Sequence, residues 1–224
     1  MGRVLGPALR AARGSGRRAG RPLRCALIED RIEVAGREIS LLRPPKAGEL
    51  IDEAAFDEDE FLPYWAELWP SGVALARAVG GLDLAGVRVL ELGAGLGLPS
   101  LAAALGGAEV LATDWAEDAV ELLRRNAERN GISLRAAAVR WDEPEPLLRE
   151  APWRLVLGAD LLYERRNADQ LLELLPRLGR DALLADPGRP FAKGFLERAV
   201  ERWRIETSAD ATTPSVGLHR LRLR

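Results

Sequence analysis

From residue 87 onward, short apolar runs alternate with longer segments in which apolar residues recur every three or four positions. Short apolar runs are typical of buried strands, and the longer spacing is typical of helices that bury one face. We predict strands at residues 87–92, 109–113, 134–139, 154–159 and 182–185, and helices at residues 98–105, 117–130, 166–178 and 191–202. Regular alternation of strand and helix predicts a parallel sheet with right-handed crossovers.

Both ends of the chain depart from that alternation. Residues 26–43 have largely alternating apolar positions with Ala35 and Gly36 at the centre, which predicts a β-hairpin. Residues 204–207 and 216–223 are predicted to be strands joined only by a loop. Because two strands joined in this way run in opposite directions, we expect the last strand to be antiparallel.

The predicted domain organisation follows composition. Residues 1–24 contain seven arginines and no acidic residue. We interpret them as a disordered leader, or as residues included because the start codon was assigned too far upstream. The alternative is a basic arm or an organelle-targeting leader. We expect one domain at residues 25–224, with a hairpin at 25–45, an acidic segment and first helix at 46–80, and a cofactor-binding core at 87–224. The first helix is predicted at residues 71–79, with Ser71 as its N-cap.

Composition favours one globular enzyme and excludes several kinds of site. With 224 residues, 47% of them hydrophobic, the chain is long enough to bury a sizeable core. One cysteine, Cys25, and one histidine, His219, argue against a disulfide framework and against a metal site. No apolar run approaches the roughly 20 residues of a membrane helix. We therefore expect no metal and no membrane partner, and a cytoplasmic protein.

Three alternate glycines, Gly93, Gly95 and Gly97, end the apolar run at residues 87–92. Glycine permits the tight turn from strand to helix, and its missing Cβ lets a ligand approach the backbone. Asp114 lies 21 residues after Gly93, at the end of the next predicted strand, where a βαβ unit places an acid near ribose hydroxyls. The pattern therefore predicts a nucleoside cofactor, the alternative being a glycine-rich turn without a ligand.

Glu91, two residues before Gly93, favours one nucleoside over another. Dinucleotide sites have the spacing G-x-G-x-x-G and place a pyrophosphate at a helix N-terminus. Here the third glycine comes one position early, and Glu91 is a poor neighbour for a phosphate but a good one for a cation. S-adenosylmethionine carries a sulfonium, an ammonium and no phosphate, so the charge pattern favours S-adenosylmethionine over NAD.

Four blocks of sequence carry a family resemblance. They are residues 62–76, residues 91–97, the Asp160-Leu-Leu-Tyr163 block, and the Asp186-Pro-Gly-Arg-Pro190 block. In these blocks the chain resembles the seven-strand, class I S-adenosylmethionine-dependent methyltransferases, and within them the protein-lysine methyltransferases that modify the electron-transfer flavoprotein β-subunit. The resemblance implies an α/β, Rossmann-like fold: a seven-stranded, mostly parallel sheet with an antiparallel last strand, preceded by an N-terminal hairpin.

The candidate cofactor-binding residues follow predicted strands, whose carboxyl ends share one edge of a parallel sheet. Asp114 suits the ribose, Trp115 could lie against the adenine, and Trp141 suits its other face or rim. Trp69 resembles the tryptophan with which this family contacts the cofactor. The alternative is that these tryptophans belong to the core, which we prefer for Trp203.

Asp160 and Tyr163 are the candidates for chemistry. A lysine has an ordinary pKa of about 10.4 and arrives charged. We expect Asp160 to attract and orient the ammonium, and Tyr163 to form part of an aromatic wall around it. The alternatives are that Asp160 caps the following helix and that Tyr163 only packs on the sheet. The block at residues 186–190 could shape the substrate channel, or be a turn in which Asp186 pairs with Arg189.

Charge suggests the kind of substrate. Between Glu49 and Glu67 there are eight acidic residues and no lysine or arginine. An acidic mouth would steer a basic or lysine-presenting protein and would repel nucleic acid, whereas the plain alternative is a solvated face. We therefore expect a protein-lysine methyltransferase that is a monomer and acts on electron-transfer flavoprotein β-subunit or a ribosomal protein. A small-molecule N-methyltransferase and a non-catalytic S-adenosylmethionine-binding module are the alternatives.

Overall fold

The computed structural model describes residues 26–46 and 63–224. The expectations for the leader at residues 1–24, for Cys25 and for the acidic residues from Glu49 to Glu60 lie outside this range. Two sheets are formed in the described part of the chain. Their strands are β1 (Ile28–Val34), β2 (Arg37–Arg43), β3 (Arg88–Leu92), β4 (Glu109–Asp114), β5 (Arg135–Ala138), β6 (Leu155–Ala159), β7 (Asp181–Asp186), β8 (Trp203–Ala209) and β9 (Gly217–Leu223).

The large sheet has the order β5-β4-β3-β6-β7-β9-β8. Strands β3 to β7 pair in parallel, whereas β9 pairs antiparallel with both β7 and β8. The predicted seven-stranded sheet with an antiparallel last strand is confirmed. After β3 the chain builds outward through β4 and β5, then returns to place β6 on the other side of β3. This reversal leaves a crevice above the carboxyl ends of β3 and β6, where open α/β sheets bind ligands.

In residues 26–46 and 63–224, six α-helices connect the strands. They are α1 (Pro70–Gly80), α2 (Leu98–Leu105), α3 (Glu117–Arg129), α4 (Glu145–Leu148), α5 (Arg165–Leu178) and α6 (Ala192–Ala199). Successive side chains of a strand point to opposite faces, so Val89 and Leu90 of β3 enter two different apolar cores. The first core holds α1, α2 and α3, and the second holds α4, α5 and α6. The sheet is therefore covered on both faces.

The predicted hairpin is confirmed as β1 and β2, with Ala35 and Gly36 at positive φ in the two-residue turn. It packs on α3 through the side chain of Asn126, which is fully buried. Asn126 accepts the backbone N–H of Leu42 in β2 at 2.7 Å and donates to the carbonyls of Leu42 and Leu96, both at 3.2 Å. One amide thus ties the hairpin to the glycine-rich loop.

Some predicted details are wrong. The first helix begins at Pro70 with Trp69 as its N-cap, so Ser71 is not the cap. Proline suits the first helical position because its φ is already fixed and it has no N–H to satisfy. The four-residue helix α4 was not predicted, whereas Trp203 is buried in the core as expected.

Within the described residues, no helix combines the length and the apolar character needed to cross a membrane.

Candidate active site

One pocket above the carboxyl edge of the sheet contains all ten residues that the sequence nominated for cofactor binding or for chemistry. Strands β3, β4, β5 and β6 each contribute, through their last residues or the loops that follow. The α1 N-terminus and the short 3₁₀ turn at Tyr64–Ala66 line the same pocket. The nominated residues that line the pocket are Trp69, Glu91, Gly93, Gly95, Gly97, Asp114, Trp115, Trp141, Asp160 and Tyr163.

The glycine-rich loop has a shape that side chains would block. Gly95 has a φ of +51°, and a Cβ there would lie 2.9 Å from the carbonyl oxygen of Trp65. Gly97, with a φ of +83°, is the N-cap of α2, and its Cβ would lie 2.6 Å from the side chain of Leu123. The loop is therefore closed over by protein on two sides, and the backbone itself forms the floor of the pocket.

Asp114, the last residue of β4, holds that loop in place. Its carboxylate accepts the backbone N–H of Gly95 at 2.9 Å and that of Ala116 at 3.1 Å. The residue is buried, and burial raises the pKa of its carboxyl group above the ordinary value despite these hydrogen bonds. Asp114 thus lies on the pocket wall with its oxygens already oriented by the backbone.

Glu91, in β3, has a strongly perturbed carboxyl group. It is 1% exposed and accepts a short hydrogen bond from the hydroxyl of Ser100. Burial raises its pKa from 4.5 to about 8, and the neighbouring Asp114 adds to the rise. A buried carboxyl group with so high a pKa is neutral at pH 7, so a cationic ligand beside it would restore the charged form.

Aromatic side chains surround the opening. The indole of Trp69 donates to the carbonyl of Tyr64 at 2.9 Å, and the Tyr64 ring meets the Tyr163 ring edge-on, with centroids 5.8 Å apart. Trp141 lies near the glycine loop, whereas Trp115 is 44% exposed at the rim. The wall around Tyr163 is therefore built from elements far apart in the sequence, and the exposed part of Trp115 lies beside it on the same pocket.

Asp160, immediately after β6, has a backbone conformation that is uncommon outside glycine. Its φ is +58°, and its backbone N–H donates to the carbonyl of Ala185 at 2.9 Å. One carboxylate oxygen accepts the hydroxyl of Ser71 at 3.2 Å, and the other accepts Nε of Arg189 at 2.5 Å. Asp160 does not cap helix α5, whose N-cap is Glu164.

The block at residues 186–190 forms a turn in which Asp186 holds the backbone of Arg189 and not its guanidinium. The side chain of Asp186 accepts the backbone N–H groups of Gly188 and Arg189, both at 2.8 Å. The guanidinium of Arg189 instead pairs with Asp160, and it lies 5.1 Å from the centroid of the Trp69 ring. Arg189 therefore joins the β7–α6 loop to the mouth of the pocket.

Several residues of the pocket were not nominated from the sequence. One of them is Asn167, whose side chain is hydrogen-bonded to that of Tyr163. Tyr163 is partly buried, and burial raises the pKa of its hydroxyl group. Asn167 and Gln170 lie one turn apart on α5, a spacing that could have revealed a polar face. The other pocket residues with polar side chains are Tyr64, Glu67, Arg140, Asp142 and Arg166.

Comparison with known proteins identifies relatives. The model of the lysine methyltransferase family matches residues 55–183, more than half of the chain. The electron transfer flavoprotein beta subunit lysine methyltransferase of Xenopus laevis is 39% identical over 137 residues, which are 57% of this chain and 53% of that protein. Protein N-lysine methyltransferase METTL21A of Danio rerio is 39% identical over 120 residues, which are 50% of this chain and 55% of that protein. The chain therefore spans about half the length of these curated relatives.

A third relative carries a different target in its name. Histone-arginine methyltransferase METTL23 of Xenopus laevis is 36% identical over 115 residues, which are 49% of each protein. Among solved structures, the 16S rRNA methyltransferase RsmC of T. thermophilus, in complex with AdoMet and guanosine, superposes with a TM-score of 0.65. It is 20% identical, and the match covers 91% of this chain and 52% of that chain. At this identity the likeness shows the fold alone, and it confirms the class I methyltransferase fold.

Proposed function

The chain belongs to the lysine methyltransferase family, and from this membership and the geometry of the pocket we propose that it methylates the ε-amine of a protein lysine. The methyl donor proposed is S-adenosylmethionine. The observation that carries the proposal is one shared pocket: Glu91 and Asp114, the candidate cofactor residues, line it together with Asp160 and Tyr163, the candidate acceptor residues. The candidate donor and acceptor residues thus share one crevice.

The residues present fit S-adenosylmethionine. Gly95 and Gly97 let Trp65 and Leu123 pack closely on the glycine loop, and the loop so held lines the pocket beside Glu91 and Asp114. Asp114 would accept ribose hydroxyls, and Glu91 would face the cationic amino-acid end of the ligand. Trp115 and Trp141 would flank the base, and Trp69 would close the mouth. When bound, S-adenosylmethionine supplies a methyl group on a positively charged sulfur.

The acceptor side has the groups that a lysine requires. An ammonium has no lone pair, so the side chain must lose a proton to solvent before its nitrogen can replace sulfur on the methyl carbon. Burial in the pocket lowers the pKa of a lysine and favours the neutral amine. Asp160 would attract and orient the incoming cation, and the rings of Tyr64 and Tyr163 would flank its alkyl chain. Positioning of the amine is then the main contribution of the protein.

Electron-transfer flavoprotein β-subunit is the substrate we propose first. The support is the name of the Xenopus laevis relative and its 39% identity over 137 residues. A ribosomal protein is the second candidate. Glu67 lines the pocket and belongs to the acidic segment, which favours a basic, lysine-presenting surface. We propose lysine rather than arginine because the matched family and two of the three relatives above are named for lysine.

Intact mass measurement tests this proposal. Purified protein, S-adenosylmethionine and the electron-transfer flavoprotein β-subunit of the same organism should give a substrate mass raised by whole methyl groups, and fragmentation should place them on lysine. Asp160→Asn should abolish the increase. Ser71→Ala, which removes a hydrogen bond to Asp160 but keeps the carboxylate, is the matched control and should retain most activity. An unmodified substrate with active wild-type protein would reject this target.

The other functions remain open to the same assay. A small-molecule N-methyltransferase would show turnover with free amines and none with protein. A non-catalytic binding module would bind S-adenosylhomocysteine and methylate nothing. The cytoplasmic location and the monomeric state stay predictions, and cell fractionation and light scattering of the purified protein would test them.

A further inference from the structure

Arg189 lies where a substrate cation would be expected. Its Nε is 2.5 Å from a carboxylate oxygen of Asp160, and its Cζ is 5.1 Å from the centroid of the Trp69 ring. A carboxylate beside an aromatic face is an arrangement that binds organic cations. We call Asp160 and the ring of Trp69 the cation site. In this structure the chain fills its own cation site with a guanidinium.

This occupancy conflicts with direct entry of a lysine. The side chain of Asp160 is 6% exposed, and its two oxygens already accept hydrogen bonds from Ser71 and Arg189. A second cation brought to the same carboxylate would be repelled by the guanidinium. A lysine ammonium therefore binds Asp160 fully only if Arg189 moves away.

The loop that carries Arg189 holds the backbone of this residue and leaves part of its side chain exposed. The backbone N–H of Arg189 is held by a side-chain oxygen of Asp186 at 2.8 Å, whereas its side chain is 31% exposed. The other carboxylate oxygen of Asp186 is buried and has no hydrogen-bond partner among the described residues. Asp186 is 2% exposed and close enough to interact electrostatically with Arg189. A second acceptor for the guanidinium thus lies within its own loop.

We propose that Arg189 determines specificity by occupying the cation site in the free protein, and that the substrate lysine replaces it there while the guanidinium pairs with Asp186. Only the identity of the replacing cation rests on the proposed function. Displacement of Arg189 costs free energy, so a small amine with few other contacts binds the site weakly. A protein surface, with contacts beyond the lysine itself, offsets this cost. Arg189 therefore selects protein lysines against free amines.

Binding of a small cation tests the proposal without any turnover. n-Butylammonium, an analogue of the lysine side chain, is titrated by calorimetry into S-adenosylhomocysteine-loaded wild type and Arg189→Gln, with n-butanol as the uncharged probe. We expect the Arg189 guanidinium to occupy the cation site about 90% of the time, so its removal should tighten n-butylammonium binding about tenfold. Binding of n-butanol should be equal in both proteins. Arg198→Gln, an exposed arginine of α6 paired with Asp169, removes the same charge and should behave like the wild type.

The wild-type protein provides a second readout in case the variant folds poorly. In nitrogen-15 spectra of arginine side chains, the Nε–H of Arg189 should be protected by Asp160 and should lose that protection as n-butylammonium is added. Equal n-butylammonium affinity in wild type and Arg189→Gln, or an Arg189 signal unchanged at saturation, would overturn the proposal. Tighter binding in Arg189→Gln without methylation of any protein would instead reject the proposed function and leave the role of Arg189 intact.

Discussion

Replacing Glu91 by glutamine should stabilise the ligand-free protein at high pH while impairing its cofactor site. Burial raises the pKa of Glu91 from 4.5 to about 8 in the folded protein. The folded state therefore holds a proton that the unfolded state releases between these two values. By linkage, the free energy of unfolding falls as pH rises through this window, and the loss is complete above pH 8. Glutamine cannot ionise, so the free energy of unfolding of Glu91→Gln should not fall in this pH window through residue 91.

The magnitude follows from the two pKa values. They differ by about 3.5, which at about 1.4 kcal/mol per pKa unit corresponds to about 5 kcal/mol. Relaxation and water entry around a newly ionised carboxylate reduce such figures, so we expect the measured difference to be about 2–5 kcal/mol. The advantage of Glu91→Gln over wild type should be near zero at pH 4.5 and should reach this range at pH 9.

Urea unfolding of the ligand-free protein at several pH values between 4.5 and 9 measures this difference. Glu128→Gln is the matched control, because Glu128 is an exposed residue of α3, and it should follow the wild type. Calorimetry should show weaker S-adenosylhomocysteine binding for Glu91→Gln. If wild type and Glu91→Gln lose stability in parallel as pH rises, Glu91 is already ionised in the folded protein and the argument for a cation beside it fails.

Three further substitutions test the construction of the pocket. Asp114→Ala should weaken S-adenosylhomocysteine binding by about 1.5–3 kcal/mol, measured by calorimetry, and unchanged affinity would remove Asp114 from the cofactor site. Gly95→Ala should weaken the same binding by about 1–3 kcal/mol, because its Cβ would lie 2.9 Å from the Trp65 carbonyl at a positive φ; full affinity would show that the loop can adjust. Asn126→Leu should lower the free energy of unfolding in urea by about 2–4 kcal/mol, because it leaves backbone groups of Leu42 unpaired; a loss below 1 kcal/mol would contradict this.

The fold could be predicted because its signals are local. Apolar runs and three- or four-residue periodicity lie within single elements, and all five parallel strands and four of the connecting helices were predicted close to their observed positions. Helix α4 has only four residues, too few for a period to show. The placement of β9 between β7 and β8 was also not predicted, because strand order depends on packing between distant segments.

The candidate site was predictable in its membership but not in its pairing. Strand ends meet at one edge of a parallel sheet, so residues such as Glu91 and Asp160 were expected to share a pocket, and they do. The partners of Asp160 could not be predicted, since Ser71 is 89 residues away and Arg189 is 29 residues away. No periodic pattern links such positions. The pairing with Arg189 changes the account of Asp160, because a substrate must compete for its carboxylate.

The central claim is transfer of a methyl group to a protein lysine, and the partition of label tests it most directly. The protein is incubated with methyl-tritiated S-adenosylmethionine and a lysate of cells that lack its gene, and label is counted in protein, nucleic-acid and small-molecule fractions. We predict label in the protein fraction, recovered as methyllysine after hydrolysis, and absent with Asp160→Asn while S-adenosylhomocysteine affinity stays within a few fold. Label recovered in nucleic acid, in small molecules or as methylarginine would contradict the claim.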